Sequence, residues 1–135
     1  MQTNASEEYW VSVDGKFAKN VNSSSKIVFS GLPKPGVNGF RLGGADWVKL
    51  ADGKTLIASV IVRWSFLGLG DKRASIASFK STDGGYAWQY VGDIARADKV
   101  DSNEGPNENS LALLNNGTVL CVMRLDAGDA GRYHR

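Results

Sequence analysis

The chain has 135 residues, and its 16 basic and 14 acidic residues give a formal net charge of +2. A charge this small gives no argument for a nucleic-acid or membrane-surface partner, so we expect neither, and no apolar run approaches the ~20 residues of a membrane span. The length sets a ceiling of one domain with a modest core. The single cysteine, Cys121, excludes an internal disulfide, and its apolar neighbours predict a buried, unreactive thiol. The first residues lack the pattern of a signal peptide, and the sequence leaves the localisation undetermined.

The first 39 residues are a polar lead-in with little regular pattern. Two fragments in it, residues 9–13 and 26–29, are rich in the β-branched and aromatic residues of strands. The Asp14-Gly15 pair predicts either an ordinary two-residue hairpin or a shortened form of the turn motif found at residues 81–88. Two prolines near the end of the lead-in predict a turn-rich connection.

After the lead-in, the sequence predicts four consecutive strands. An apolar stretch around Trp47 leads into Asp52-Gly53, a pair typical of hairpin turns, and residues 55–64 form a long β-prone run. Beyond a glycine-rich loop, an alternating run at 75–80 and a shorter run at 89–91 flank a polar, glycine-bearing octet. Because these runs are joined in chain order, they predict an antiparallel meander.

The turn pattern of the meander recurs farther along the chain. Residues 50–56, Leu-Ala-Asp-Gly-Lys-Thr-Leu, return imperfectly as residues 114–120, Leu-Asn-Asn-Gly-Thr-Val-Leu, at an offset of 64 positions (114 minus 50). A repeat of roughly 40–65 residues with four strands per unit is typical of a β-propeller blade. Since closed propellers have four or more blades, we expect a chain of about two blades to be a fragment of a longer all-β propeller. The predicted parts are the end of a preceding blade or lead-in (1–39), one full blade (40–103) and the first half of the next blade (104–135).

The octet Ser81-Thr82-Asp83-Gly84-Gly85-Tyr86-Ala87-Trp88 has the chemistry of a self-contained turn. The Ser81 and Asp83 side chains are suited to hydrogen-bond backbone groups within the turn, and the two glycines supply positive φ angles. The octet resembles the Asp-box, Ser-x-Asp-x-Gly-x-x-Trp, of sialidases and other Asp-box β-propellers. That resemblance implies a six-bladed sialidase-like propeller in which Ser81, Asp83, Gly85 and Trp88 are structural and lie away from the active site.

Strand parity sorts the polar residues of the predicted blades by the end of the sheet that they occupy. If the innermost strand runs from top to bottom, the Asp-Gly turns and the octet lie at the bottom. Residues just before a first strand, or at the end of a second strand, then share the top. Arg41, Asp71, Glu108 and Arg124 belong to that top rim, with Glu108 in a polar loop. Four ionisable side chains at one rim predict a functional site.

The rim residues resemble a sialidase pattern of Glu-x-Ser-hydrophobic, a turn glycine and Arg, which residues 108–124 match. By that resemblance, Glu108 assists a tyrosine nucleophile, and Arg124 is one of three arginines that clamp the substrate carboxylate. Arg41, in Phe-Arg-Leu, corresponds to another clamp arginine, and Asp71 corresponds to the acid/base aspartate by its loop position alone. The resemblance implies a glycosidase that cleaves terminal sialic acid without a cofactor or metal, and a sialylated glycan or related acidic sugar as its partner.

The chemistry of such a substrate agrees with these roles. A sialic acid carries a permanent carboxylate, which planar arginine side chains bind through paired, charge-assisted hydrogen bonds. That carboxylate repels an anionic nucleophile, which suits a neutral tyrosine activated by a nearby base. In the family this tyrosine lies in a later blade, so it does not correspond to Tyr133. We therefore expect the chain alone not to hydrolyse sialosides.

Each assignment has a simpler alternative. Arg41 and Glu108 also suit solvated loops, Arg124 suits an ion pair at a strand end, and Asp71 suits an ordinary turn. Two other functions stay open: a non-catalytic Asp-box propeller that binds a glycan or a protein, and a scaffold propeller with solvated rim charges. A third clamp arginine and a tyrosine elsewhere in the protein would favour the enzyme. The open strand edges of a partial propeller also predict self-association.

Overall fold

The computed structural model of the chain describes residues 3–5, 10–13, 16–19, 27–33, 37–67 and 73–125, with side chains at 29–33, 46–67 and 73–125. Within these ranges the secondary structure consists of strands and two single turns of 3₁₀ helix, which confirms the prediction of an all-β fold. The strands are β1 (Thr3–Ala5), β2 (Trp10–Val13), β3 (Lys16–Lys19), β4 (Ile27–Ser30), β5 (Val37–Lys49), β6 (Leu56–Trp64), β7 (Ser75–Ser81), β8 (Ala87–Ala95), β9 (Asn107–Leu113) and β10 (Val119–Arg124). The 3₁₀ turns lie at Ser65–Leu67 and Ala97–Lys99.

Six of these strands form one sheet, in the order β1-β4-β8-β7-β6-β5. The part from β5 to β8 is an antiparallel meander, which confirms the prediction of four consecutive paired strands. β4 adds to the β8 edge in parallel orientation, a pairing that no pattern in the sequence indicates. β5 begins at Val37, so it crosses the boundary predicted between residues 39 and 40.

A separate hairpin, β2–β3, lies in the predicted lead-in. Val13 lies opposite Lys16, so two residues, 14–15, which are outside the described ranges, separate the strands. The Asp14-Gly15 pair, for which the sequence predicts either of two turns, lies outside the described residues.

The turn between β5 and β6 is organised by Asp52. Its Oδ1 atom accepts hydrogen bonds from the backbone N–H groups of Lys54 at 3.0 Å and Thr55 at 2.8 Å, and its Oδ2 atom accepts one from the Thr55 hydroxyl. These bonds, the one from the Thr55 hydroxyl foremost, lower the pKa of Asp52 to about 2. In the turn between β9 and β10, Asn116 Oδ1 accepts the Thr118 N–H at 3.0 Å. Both hairpins predicted from the repeated turn are therefore present.

The octet between β7 and β8 is held by hydrogen bonds among its own residues. Ser81 Oγ donates to Asp83 Oδ1 at 2.8 Å and accepts the Gly85 N–H at 3.0 Å. Asp83 Oδ1 also accepts the N–H groups of the two residues before Trp88, at 3.1 and 3.0 Å. Trp88 Nε1 donates to the Gly85 carbonyl at 2.8 Å. Gly84 and Gly85 have φ angles of +83° and +97°, as the turn chemistry predicts.

We expect Asp83→Ala to lower the free energy of unfolding by about 1 kcal/mol, because two backbone N–H groups of the turn lose a charged acceptor but stay accessible to water. Asp101→Ala is the control, since this substitution removes another exposed carboxylate. Urea unfolding of both variants measures the difference, and equal effects would contradict the role given to Asp83.

Two apolar clusters lie on opposite faces of the meander, because alternate residues of β6 and β7 point to opposite sides. The buried members of the larger cluster are Phe29, Leu32, Ala58, Val60, Val62, Trp64, Ala77 and Phe79. The smaller cluster, Ile61, Ala74 and Ile76, packs against Met123 of β10. The β9–β10 hairpin therefore packs on the second face of the six-stranded sheet.

Candidate functional site

Glu108 and Arg124 meet at one end of the β9–β10 hairpin. Glu108 is the second residue of β9 and Arg124 is the last residue of β10, and Arg124 Nη1 lies 3.2 Å from Glu108 Oε2. The register shifts between Met123 and Arg124, so that Arg124 lies opposite Asn107 and Glu108 is the extra residue of a bulge. The side chains of Arg124 and Glu108 are 40% and 66% exposed. The pair is therefore open to solvent.

This ion pair lies at the end of the sheet opposite the octet. Gly105, three residues before Glu108, contacts the backbone of Ala74, and the Ala74 N–H donates to the Glu104 carbonyl at 2.8 Å. Ala74 directly precedes β7, whereas the octet follows the end of β7. The two sequence motifs that resemble sialidases thus occupy opposite ends of the strands.

Two predicted placements are wrong in detail. Glu108 was expected in a polar loop but lies in β9, where the neighbouring polar residue Asn109 accepts a hydrogen bond from the Ser59 hydroxyl of the adjacent sheet. Polar residues therefore lie on both faces of β9. Because its sequence lacks the alternation of polar and apolar residues typical of a strand, it was predicted to be a loop. Arg41 was expected just before a strand but lies within β5, with its backbone opposite Ile61, because β5 begins four residues earlier.

Some predicted residues fall where the structure gives no position. The side chain of Arg41 lies outside the described side chains, and Asp71 and Tyr133 lie outside the described residues altogether. Among the predicted site residues, the structure therefore brings together Glu108 and Arg124.

Asp46, which the sequence did not indicate, joins β5 to the strand that carries Glu108. Its Oδ2 atom accepts two hydrogen bonds from β9, one from the Ser110 hydroxyl and one from the Leu111 N–H, both at 2.8 Å. Its Oδ1 atom accepts the N–H of Trp47 at 2.8 Å. These bonds, that of Leu111 foremost, hold the pKa of Asp46 below its ordinary value. Asp46 and Ser110 are 64 positions apart, which is also the offset of the repeated turn. The repeat offset therefore could have indicated that these two residues pair.

Cys121 lies on the inner face of the same hairpin. It is a free thiol and half-buried, less covered than the sequence predicted. Burial raises the pKa of the thiol, and the negative charge of Asp46 raises it further. Both effects disfavour the thiolate, which is consistent with an unreactive cysteine.

The two tyrosines in the described part of the chain have no position suited to act with Glu108. Tyr86 belongs to the octet at the opposite end of the strands. Tyr90 packs on the face of the larger cluster, with its ring 5.7 Å from that of Trp64. Burial, and then the charge of Asp93, raise the pKa of Tyr90 to about 12, which makes it a weaker nucleophile at neutral pH.

Arg96 is a second candidate for anion binding, but its guanidinium group is already engaged. It donates to both carboxylate oxygens of Asp98, at 3.0 and 2.9 Å, and it lies 5.7 Å from the centroid of the Phe66 ring. The bidentate pair occupies the Nε/Nη2 edge of the guanidinium group, and a second carboxylate, that of Asp93, lies 3.8 Å from Nε. Arg124, with a single close contact to Glu108, is the better candidate.

The described residues include no group of three or more His, Cys, Asp or Glu side chains placed to hold a metal ion. No helix among them has the length and apolar character needed to cross a membrane. Scans against protein-family models, curated proteins and solved structures gave no match to the chain. The geometry of the Glu108–Arg124 pair is therefore the main basis for a functional proposal.

Proposed function

We propose that the chain is part of a sialidase-like glycoside hydrolase and that Arg124 and Glu108 lie in its substrate site. The observation that supports this most strongly is the 3.2 Å contact between the two residues that resemble the clamp arginine and the assisting glutamate. Arg124 binds the sugar carboxylate, and Glu108 takes the proton from a tyrosine nucleophile. The sugar is a sialic acid or a related acidic sugar at the end of a glycan.

The solvent exposure of the Glu108–Arg124 pair allows Arg124 to exchange part of its contact with Glu108 for a contact with a ligand carboxylate. An ion pair this open to water contributes about 0–1 kcal/mol, so little is lost when Arg124 turns part of its guanidinium group to a ligand. A planar guanidinium group retains further N–H donors beside the one at Glu108, and these match the two oxygens of a carboxylate. Glu108 then remains next to the bound sugar, where a base is needed.

The nucleophile has to come from outside the described residues. A tyrosine next to Glu108 completes the proposed site, and neither Tyr86 nor Tyr90 is so placed. The third clamp arginine is also assigned to a part of the protein beyond this chain. Arg41 remains the proposed second clamp residue by the resemblance of Phe-Arg-Leu, and its backbone lies opposite Ile61.

The proposed architecture is a six-bladed β-propeller of which this chain supplies about two blades. Three observations support it: the antiparallel meander from β5 to β8, the packing of the β9–β10 hairpin on one face of that meander, and the contact between residues 64 positions apart. Contacts between equivalent residues of successive units are typical of repeat architectures.

The proposal is tested by titrating the chain with N-acetylneuraminate and, separately, with its methyl ester, and following backbone amide resonances by NMR. The ester keeps the sugar and removes the negative charge. We expect the acid to bind at least about tenfold more tightly, because a charge-assisted pair with arginine is lost in the ester. Equal affinities, or shifts confined to residues far from Glu108 and Arg124, would overturn the proposal.

A further inference from the structure

We infer that Asp46 is a positioning residue. It fixes the Glu108–Arg124 pair of the β9–β10 hairpin relative to the part of β5 that contains Arg41. This inference rests on the proposed function for its ligand, although the placement of the pair can be measured without one. Asp46 does not contact the pair directly and acts through β9.

On the β9 side, the Asp46 carboxylate holds the face that carries Glu108. Ser110 and Glu108 are two residues apart in one strand, so their side chains point to the same face, and both are exposed. Ser110 also lies opposite Val122, two residues before Arg124. The bond from Ser110 Oγ to Asp46 Oδ2 therefore holds β9 two residues from Glu108. Through the pairing of Ser110 with Val122, it also holds β10 two residues from Arg124.

The adjacent N–H group of Leu111 removes the remaining freedom of β9. It donates to the same Oδ2 atom at 2.8 Å, so one oxygen holds a side chain and a backbone group of consecutive residues. Two converging bonds fix both the height of β9 along β5 and its distance from β5. The Trp47 N–H, bonded to Oδ1, holds the carboxylate itself in place.

On the β5 side, Asp46 lies at the end of an irregular stretch. Arg41 is opposite Ile61 and Asp46 is opposite Ser59, so five steps along β5 correspond to two steps along β6 (46 minus 41, against 61 minus 59). The extra residues bend β5 away from regular pairing with β6 between Arg41 and Asp46. Fixing Asp46 on β9 determines where the Arg41 segment ends relative to Glu108.

An ionised carboxylate suits this role. Two donors converge on one oxygen, and a charged acceptor forms stronger hydrogen bonds than a neutral one. Aspartate is ionised at neutral pH, and the hydrogen bonds that lower the pKa of Asp46, that of Leu111 foremost, favour the charged form further. Since the folded-state pKa is the lower one, the contribution of these bonds to stability is complete above the ordinary pKa of aspartate, and it is lost as the pH falls through the folded-state value.

The test compares Asp46→Asn with Asp52→Asn, whose carboxylate also accepts two backbone N–H groups but lies in the turn between β5 and β6. The probe is N-acetylneuraminate, and NMR gives both its affinity and the Arg124 Nε–H resonance in the free protein. We expect Asp46→Asn to weaken binding about tenfold and to move the Arg124 resonance, because a small displacement of a binding group costs this much. In Asp52→Asn, we expect the affinity for N-acetylneuraminate and the Arg124 Nε–H resonance to equal those of the unsubstituted chain.

Ser110→Ala is a milder second variant if Asp46→Asn fails to fold. It keeps the bond from Leu111 and is expected to move the Arg124 resonance in the same direction by a smaller amount. An unchanged Arg124 resonance in folded Asp46→Asn would overturn the positioning role. If Asp46→Asn does not fold, an unchanged Arg124 resonance in Ser110→Ala would overturn it. If the unsubstituted chain fails to bind N-acetylneuraminate, the proposed function is wrong, and the Arg124 resonance still decides the inference.

Discussion

Gly105→Ala is expected to lower the free energy of unfolding by about 3 kcal/mol or more. Gly105 has a φ angle of +76°, and a Cβ atom added there would lie 2.1 Å from the carbonyl oxygen of Ala74 and 2.9 Å from its nitrogen. A left-handed conformation costs about 1–2 kcal/mol for alanine, and overpacking against backbone adds about 1–3 kcal/mol. The same contact carries the hydrogen bond from Ala74 to Glu104, so the loop before β9 has to move.

Gly117→Ala is the matched control for this substitution. Gly117 has a similar φ angle of +83°, but a Cβ atom added there has no neighbour within 4 Å. Urea unfolding of both variants separates the conformational cost, which they share, from the steric cost at Gly105. We expect the two to differ by about 2 kcal/mol, and equal destabilisation would show that Gly105 is not packed against Ala74.

Phe79→Ala is expected to destabilise the chain by about 3–5 kcal/mol. The side chain is fully buried in the larger cluster, where its ring meets that of Phe29 edge-on with centroids 5.2 Å apart and that of Tyr90 at 5.8 Å. Removing it leaves a cavity between β4, β7 and β8. It also removes the edge-on contact with Phe29 of the parallel strand β4.

Val91→Ala provides the comparison for the core substitution. Val91 lies in β8 and is 60% exposed, so its loss is expected to change the free energy of unfolding by less than about 0.5 kcal/mol. Thermal or urea unfolding of both variants gives the difference. A small effect of Phe79→Ala would contradict the assignment of this face as the principal core.

The parts of the fold that the sequence predicts are those set by local chemistry. The Asp52 turn and the octet satisfy their backbone groups with side chains at most four residues away, so the residue types alone indicate the turns. The antiparallel pairing of β9 with β10 follows from such a turn, and it carries Glu108 and Arg124 to the same end of the hairpin. The proximity of Glu108 and Arg124, two of the four predicted rim residues, is predictable for this reason.

The rest depends on contacts between residues far apart in the sequence. The bonds from Ser110 to Asp46, from Ser59 to Asn109 and from Trp64 Nε1 to Asp93 span 64, 50 and 29 positions. No local pattern selects these partners, although the repeat offset points to the first of them. The parallel pairing of β4 with β8 is non-local in the same way, and the early start of β5 is masked by glycines and polar residues around Arg41.

The most direct test of the proposed site is the ratio of the affinities for N-acetylneuraminate and its methyl ester, measured by NMR titration in the unsubstituted chain, in Arg124→Ala and in Lys99→Ala. Lys99 is a comparable exposed cation, with a side chain 72% accessible, and serves as the control. We expect a ratio of at least about ten in the unsubstituted chain and in Lys99→Ala, and a ratio near one in Arg124→Ala, because Arg124 is the group that recognises the carboxylate. An Arg124→Ala variant that keeps the full ratio would contradict the account.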